Sequence, residues 1–159
     1  MWKVGIPFLL AVLLDQISKV IVRMHMEQFD SFDVLGGFFR ITYVLNPGIA
    51  FGIKVKNPVV FTILSILACI GIIIYLIRNW QEDIKIKISL ALILGGAVGN
   101  LIDRILFGEV VDFLDFGINH IRWPVFNIAD SSVVIGMIML FICAFFLSDK
   151  DNKETTESQ

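Results

Sequence analysis

Ionisable side chains inside or beside long apolar runs are the first places to look for chemistry, because lipid-exposed charge is costly. In this chain they are Asp15, Lys19, Asp103, Arg104, Asp112 and Asp130. Asp112 lies in Val110-Val111-Asp112-Phe113, between valines and a phenylalanine. Asp130 lies in Phe126-Asn127-Ile128-Ala129-Asp130-Ser131, at the first turn of an apolar run. Two carboxylates brought together among apolar neighbours cannot both ionise easily and share a proton. One can then activate water as general base while the other donates to a carbonyl oxygen. That is aspartic peptidase chemistry, and it requires that the two residues meet.

The remaining ionisable groups read more naturally as support. Asp15 and Lys19 are four apart, share a helix face and can neutralise each other in lipid, with Ser18 beside them. Asp103 and Arg104 are adjacent and project in different directions. Arg104 offers a planar fork of donors for a carboxylate, a carbonyl or a phosphate headgroup. A carboxylate close to an Arg holds its charge, which suits a scaffold better than a proton donor, so Asp103 ranks third for catalysis. Other catalytic kits are missing: the chain has no G-x-S-x-G and no H-E-x-x-H. With His25 and His120 its only histidines, a histidine-based zinc site is not expected, although a carboxylate-rich magnesium or calcium site stays open. Ser131 and Ser132 have no histidine nearby in sequence and read as helix-start or packing groups.

These side chains must be positioned by helices that cross a membrane. Of the 159 residues, 57% are hydrophobic and 18% charged, and the mean hydropathy is +0.82. A soluble domain is about 45–50% apolar and about 25% charged, and one this small has too little interior for the excess. Apolar stretches at about Val4–Met24, Pro58–Ile77, Ile84–Ile105 and Ile128–Leu147 each approach the roughly 20 residues that span a hydrocarbon core. All four should be helical, because backbone polar groups in lipid must be satisfied within the segment. The first resembles a secretory signal, but Asp15 and Lys19 interrupt it and no small-residue cleavage site follows, so it reads as a retained span. Gly95-Gly96-Ala97-Val98-Gly99 contains a GxxxG, which permits close helix packing beside Asn100 and Arg104.

Between the spans, residues 36–56 alternate: Phe39, Ile41, Tyr43 and Leu45 against Arg40 and Thr42, then Phe51, Ile53 and Val55 against Lys54 and Lys56. With Asn46-Pro47-Gly48 as a turn, this predicts a small β-hairpin or curled sheet with one apolar face at the membrane surface. Phe107–Asn127 carries Glu109, Asp112, Asp115, Trp123 and Pro124, an interfacial composition. The reading is one domain over 1–148 and a polar, disordered tail over 149–159. Four spans place both termini on one side. Lys3, Arg78, Lys85, Lys87, Lys150 and Lys153 oppose Arg23, Arg40, Lys54, Lys56, Arg104 and Arg122. The first set lies in shorter segments, which favours cytoplasmic termini.

The net charge of −2 lacks the basic excess of a nucleic-acid binder. Cys69 and Cys143, in separate apolar runs, read as packing residues. Besides a peptidase, the same acids suit a small transporter or ion-conducting subunit, or a non-catalytic assembly factor held by its ion pairs. A transporter of this kind usually shows internal repeats, and none is apparent.

Five segments together resemble one family. Asp15-Gln16-Ile17-Ser18-Lys19, Asn46-Pro47-Gly48-Ile49-Ala50-Phe51, Gly95 through Arg104, Val110 through Phe113 and Phe126 through Ser131 occur in order among the spans. In this the chain resembles the bacterial lipoprotein signal peptidase (signal peptidase II) family over nearly its whole length, without a departure at a motif position. The resemblance implies an inner-membrane aspartic endopeptidase without a metal or other cofactor. It would cut prolipoproteins before the diacylglyceryl-modified cysteine near the extracytoplasmic face. The catalytic pair would then be Asp112 and Asp130. Asp15, Lys19, Asn46, Gly48, Asn100, Asp103, Arg104, Asn127 and Ala129 would support the site or contact substrate. It also implies that the alternating outer segment is a periplasmic β-cradle. A complete set of motifs in one chain is compatible with a monomer that meets lipidated prolipoprotein and membrane lipid and no nucleic acid.

Overall fold

A computed structural model describes residues 2–50, 53–54, 59–118 and 120–157, with side chains over 2–48, 59–118 and 120–145. In chain order the elements are α1 (Trp2–His25), β1 (Ser31–Leu35), β2 (Phe39–Asn46), β3 (Ile49–Ala50) and β4 (Ile53–Lys54). They continue with α2 (Val59–Arg78), α3 (Ile84–Phe107), β5 (Val110–Ile118), β6 (Ile121–Arg122) and α4 (Ile128–Glu157). All four of the described helices are long and apolar enough to cross a membrane, within a few residues of the expected spans.

α3 is the hub of the bundle and packs against α1, α2 and α4. Its start is capped by Asp83, whose carboxylate accepts the Lys85 N–H at 2.7 Å. Its end is set by Gly108, left-handed at φ 78°, whose N–H reaches the Arg104 carbonyl. The GxxxG works as expected. A Cβ on Gly95 would lie 2.7 Å from that of Ala11, and one on Gly99 would lie 2.6 Å from Asp15 Oδ2. At Gly96 it would collide with the Ala129 carbonyl oxygen of α4. Glycine is thus what allows α1 and α4 to close on α3 at the level of the acids.

Outside the bundle the sheet is larger than the alternating segment suggests. Four antiparallel strands run in the order β1-β2-β5-β6, and β3 pairs with β4 separately. The β1–β2 hairpin turns through Gly36 and Gly37, at φ 50° and 77°, and not at Asn46-Pro47-Gly48. Consecutive glycines accept the positive φ that a tight turn needs. Asn46 instead closes a β2 that pairs on one side with β1 and on the other with β5. Phe51, Val55 and Lys56, part of the expected alternation, fall outside the described residues. β5 escapes a period-two reading because Val110, Val111, Asp112 and Phe113 are all buried in succession. Its central residues Val111 and Phe113 join Val22 of α1 and Tyr43 of β2 in the core between sheet and bundle. α4 also continues to Glu157, where a disordered tail was expected; a helix already nucleated adds one hydrogen bond per residue fixed.

Candidate active site

α4 begins with a reciprocal cap. Asn127 Oδ1 accepts the Asp130 N–H at 2.9 Å, and Asp130 Oδ2 accepts the Asn127 N–H at 3.3 Å. This is a capping-box arrangement with Asp in place of the usual Glu, and it fixes Asp130 at the first turn. The other oxygen, Oδ1, accepts Asn100 Nδ2 of α3 at 2.7 Å.

Asp112 arrives from a different element. Val111 precedes it on β5, and the Val111 N–H is held by Asp103 Oδ2 at 3.1 Å. Asp112 Oδ1 accepts Asn127 Nδ2 at 2.7 Å, while Oδ2 accepts Asn46 Nδ2 at 2.9 Å. Asn46 reaches it because β2 and β5 pair Val44 with Asp112, leaving Asn46 on the diagonal. Gly48 donates its N–H to Asn46 Oδ1 at 3.0 Å, which turns the amide nitrogen toward Asp112. Asn127 therefore hydrogen-bonds both carboxylates, although they belong to separate elements. Asp112 is 3% exposed, and its pKa is pushed up to about 7, first by burial and then by the charge of Asp130. Hydrogen bonds from Asn46 and Asn127 and the charge of Lys19 act in the opposite direction.

The other expected residues surround this pair. Asp15 and Lys19 form the i,i+4 ion pair at 2.8 Å, both fully buried. Asp15 Oδ1 also accepts the Ala129 N–H at 2.9 Å, tying α1 to the first turn of α4. Asp103 is a scaffold: besides Val111 it faces Lys19 Nζ at 3.3 Å and Arg23 Nη2 at 3.4 Å. Arg104 points the other way, donating to Ser65 Oγ of α2 at 3.3 Å, and its charge interacts with Asp130, Asp112 and Asp103. Ser131 and Ser132 back-bond to the Asn127 and Ile128 carbonyls, as helix-start groups do.

Two groups carry no signal in the sequence strong enough to single them out. Gln16 donates toward Asp15 Oδ2, the Gly99 carbonyl and Asp103 Oδ1, joining the buried carboxylates of α1 and α3. Asp115 accepts Thr42 Oγ1 at 2.8 Å and Arg122 Nε at 2.6 Å, and Arg122 Nη1 continues to the Gly37 carbonyl. This latch ties β1–β2, β5 and β6 together. The recurrence of Asp every third residue in Val-Asp-Phe-Leu-Asp is its only trace in the sequence. Among the described residues, no three His, Cys, Asp or Glu side chains group so as to hold a metal ion.

Four apolar spans with aspartates converging at one end define a multi-pass membrane protein of the aspartic hydrolase class. The sequence matches the family model Peptidase_A8, Signal peptidase (SPase) II, over residues 7–146. It is 46% identical over 138 residues to the lipoprotein signal peptidase of Syntrophus aciditrophicus, covering 84% of this chain and 86% of that one. The lipoprotein signal peptidase of Moorella thermoacetica is 48% identical over 139 residues, covering 84% and 89%. A solved bacterial membrane enzyme, determined in meso at 2.3 Å, superposes with a TM-score of 0.85 at 37% identity, covering 96% of this chain and 92% of that one. The chain belongs to the signal peptidase II family of aspartic peptidases. Membership decides among the peptidase, transporter and assembly-factor readings in favour of the enzyme.

Proposed function

We propose that this chain removes signal peptides from prolipoproteins by hydrolysing the bond before the diacylglyceryl-modified cysteine, with Asp112 and Asp130 as the catalytic pair. The observation that carries the assignment is Asn127, whose side chain and backbone hold both carboxylates at once. With one proton between them, one carboxylate takes a proton from water as it attacks the scissile carbonyl. The other protonates the carbonyl oxygen, and collapse of the tetrahedral intermediate expels the amine. Every carboxylate oxygen of the pair already accepts an N–H, so the two acids are fixed before substrate arrives.

Placement suits a lipidated substrate. The pair lies at the end of the bundle formed by the C-terminal ends of α1 and α3 and the start of α4, opposite the N-terminus. With cytoplasmic termini, it faces the outer leaflet. A diacylglyceryl cysteine keeps its acyl chains in the bilayer and presents the bond before it at that depth. Phe32 and Val34 of β1, both exposed, can lie against the lipid surface nearby. One chain supplies every residue of the site, and we propose that the enzyme acts as a monomer.

Purified protein in detergent or lipid should cut a lipidated prolipoprotein and leave its unlipidated form intact, with or without a chelator. Equal cleavage of both forms would remove the diacylglyceryl group from the proposal. The same assay reports the shared proton. Asp112 holds it below about pH 7 and releases it above, so turnover should fall as pH rises through about 7. A rate flat from pH 6 to about 9 would contradict that assignment.

A further inference from the structure

Lys19 is wholly buried, and its three ammonium protons meet three acceptors: Asp15 Oδ2 at 2.8 Å, Asn100 Oδ1 at 2.8 Å and Asp103 Oδ2 at 3.3 Å. No donor remains for a substrate. Asn100 Oδ1 accepts a second bond, from Asn127 Nδ2 at 3.1 Å. An amide whose oxygen is claimed twice must turn its nitrogen the other way, and there it donates to Asp130 Oδ1 at 2.7 Å. Flipped, Asn100 would set N–H against the ammonium and against Asn127, and oxygen against the Asp130 carboxylate. A side-chain amide has nearly the same shape either way round, so the neighbours decide.

We infer that Lys19 is a positioning residue of the peptidase reaction, which fixes the Asn100 amide and through it the Asp130 carboxylate without touching substrate. The inference rests on the reading of Asp112 and Asp130 as the catalytic pair. It accounts for a fully buried lysine at a cost that its pairing with Asp15 alone does not explain, since a buried ion pair seldom stabilises a fold on balance. Lys19 also acts at a distance. The charges facing Asp112 come from three helices: Lys19 of α1, Arg104 of α3 and Asp130 of α4, while β2 contributes the neutral Asn46. Asp103 of α3 sits one residue away, on the Val111 N–H. Lys19 is one of the cations whose charge acts to lower the Asp112 pKa, together with Arg104. Removing its charge lets burial and Asp130 hold the shared proton to higher pH.

The test measures kcat and KM across pH on a lipidated prolipoprotein, using full-length Lys19→Met and Lys19→Gln and counting only monodisperse, folded protein. Lys19→Met loses both the donor and the charge, and kcat should fall on the order of 100-fold with KM within about twofold. Lys19→Gln keeps a donor for Asn100 Oδ1 and should lose less. In both, the alkaline limb of kcat moves to higher pH. Should Lys19→Met fail to fold, Lys19→Gln carries the measurement. A raised KM with kcat and limb unchanged would make Lys19 a substrate contact and overturn the inference. Rates lowered only in proportion to folded protein, with the limb unmoved, would make its role merely structural. Wild-type kinetics in both Lys19 variants beside an inactive Asp112→Asn would sink this inference and leave the catalytic pair standing. An active Asp112→Asn would instead sink the pair itself.

Discussion

Asp112→Asn and Asp130→Asn should each lower cleavage of a lipidated prolipoprotein by about 10⁴-fold, with the protein still folded in the membrane. Either change keeps side-chain size and removes an acid that, in the proposed reaction, gains or loses a proton in each turnover. At position 112 the amide offers one oxygen to two donors, Asn46 Nδ2 and Asn127 Nδ2, so one of those bonds is lost. Leaving a buried donor without its acceptor costs about 1–3 kcal/mol, still small beside the expected loss of turnover. At position 130 a single side-chain oxygen must serve Asn100 Nδ2 or the Asn127 N–H, with the same modest consequence. The measurement is turnover per folded molecule, with thermal unfolding in detergent alongside. Normal turnover by either variant would end the assignment. Variants that no longer assemble would point to ion-pair scaffolding in place of chemistry.

The second large effect is expected away from the acids. Gly96→Ala places a methyl group on the Ala129 carbonyl oxygen and within 2.7 Å of Val133 Cγ2. The obstacle at Ala129 is backbone, so α3 and α4 must move apart. Overpacking of this kind costs about 1–3 kcal/mol. It also opens the 2.7 Å contact between Asn100 and Asp130, one turn further along α3. A displacement of about 1 Å at a catalytic group can cost about 100-fold in rate, and that is the expected loss. Gly71→Ala is the control, because a Cβ there meets nothing within 4 Å. It should leave activity unchanged and hold or slightly raise the unfolding temperature, as alanine suits a helix better than glycine. Equal behaviour of the two variants would show that close approach at Gly96 does not hold the site together.

Much of this protein is legible in the order of its amino acids. The spans follow from lipid as solvent: an apolar run of about 20 residues has one way to satisfy its backbone, and the described residues hold four such helices. The i,i+4 pairing of Asp15 with Lys19 is equally local, fixed by helical pitch. So is the cap that places Asp130, since Asn127 and Asp130 stand three apart at the start of an apolar run. The apolar face of β2 can also be read, because Ile41, Tyr43 and Leu45 alternate and pack on the same core.

What the tertiary structure alone decided is everything that joins distant segments. The first half of β5, Val110 through Phe113, is buried on both faces between sheet neighbours and helices, and double burial erases the alternation by which a strand is recognised. The β1–β2 turn fell to Gly36-Gly37 because β2 needed Asn46 as a strand residue beside Asp112, which local turn preference could not show. Arg122 and Asp115 find each other only once β5 and β6 pair. Above all, the bringing of Asp112 and Asp130 onto one shared residue, Asn127, depends on Asn100 and on glycines thin enough for α3 to meet α4. Periodicity reports the environment of one segment at a time. The site is a property of contacts between segments, and those exist only after packing.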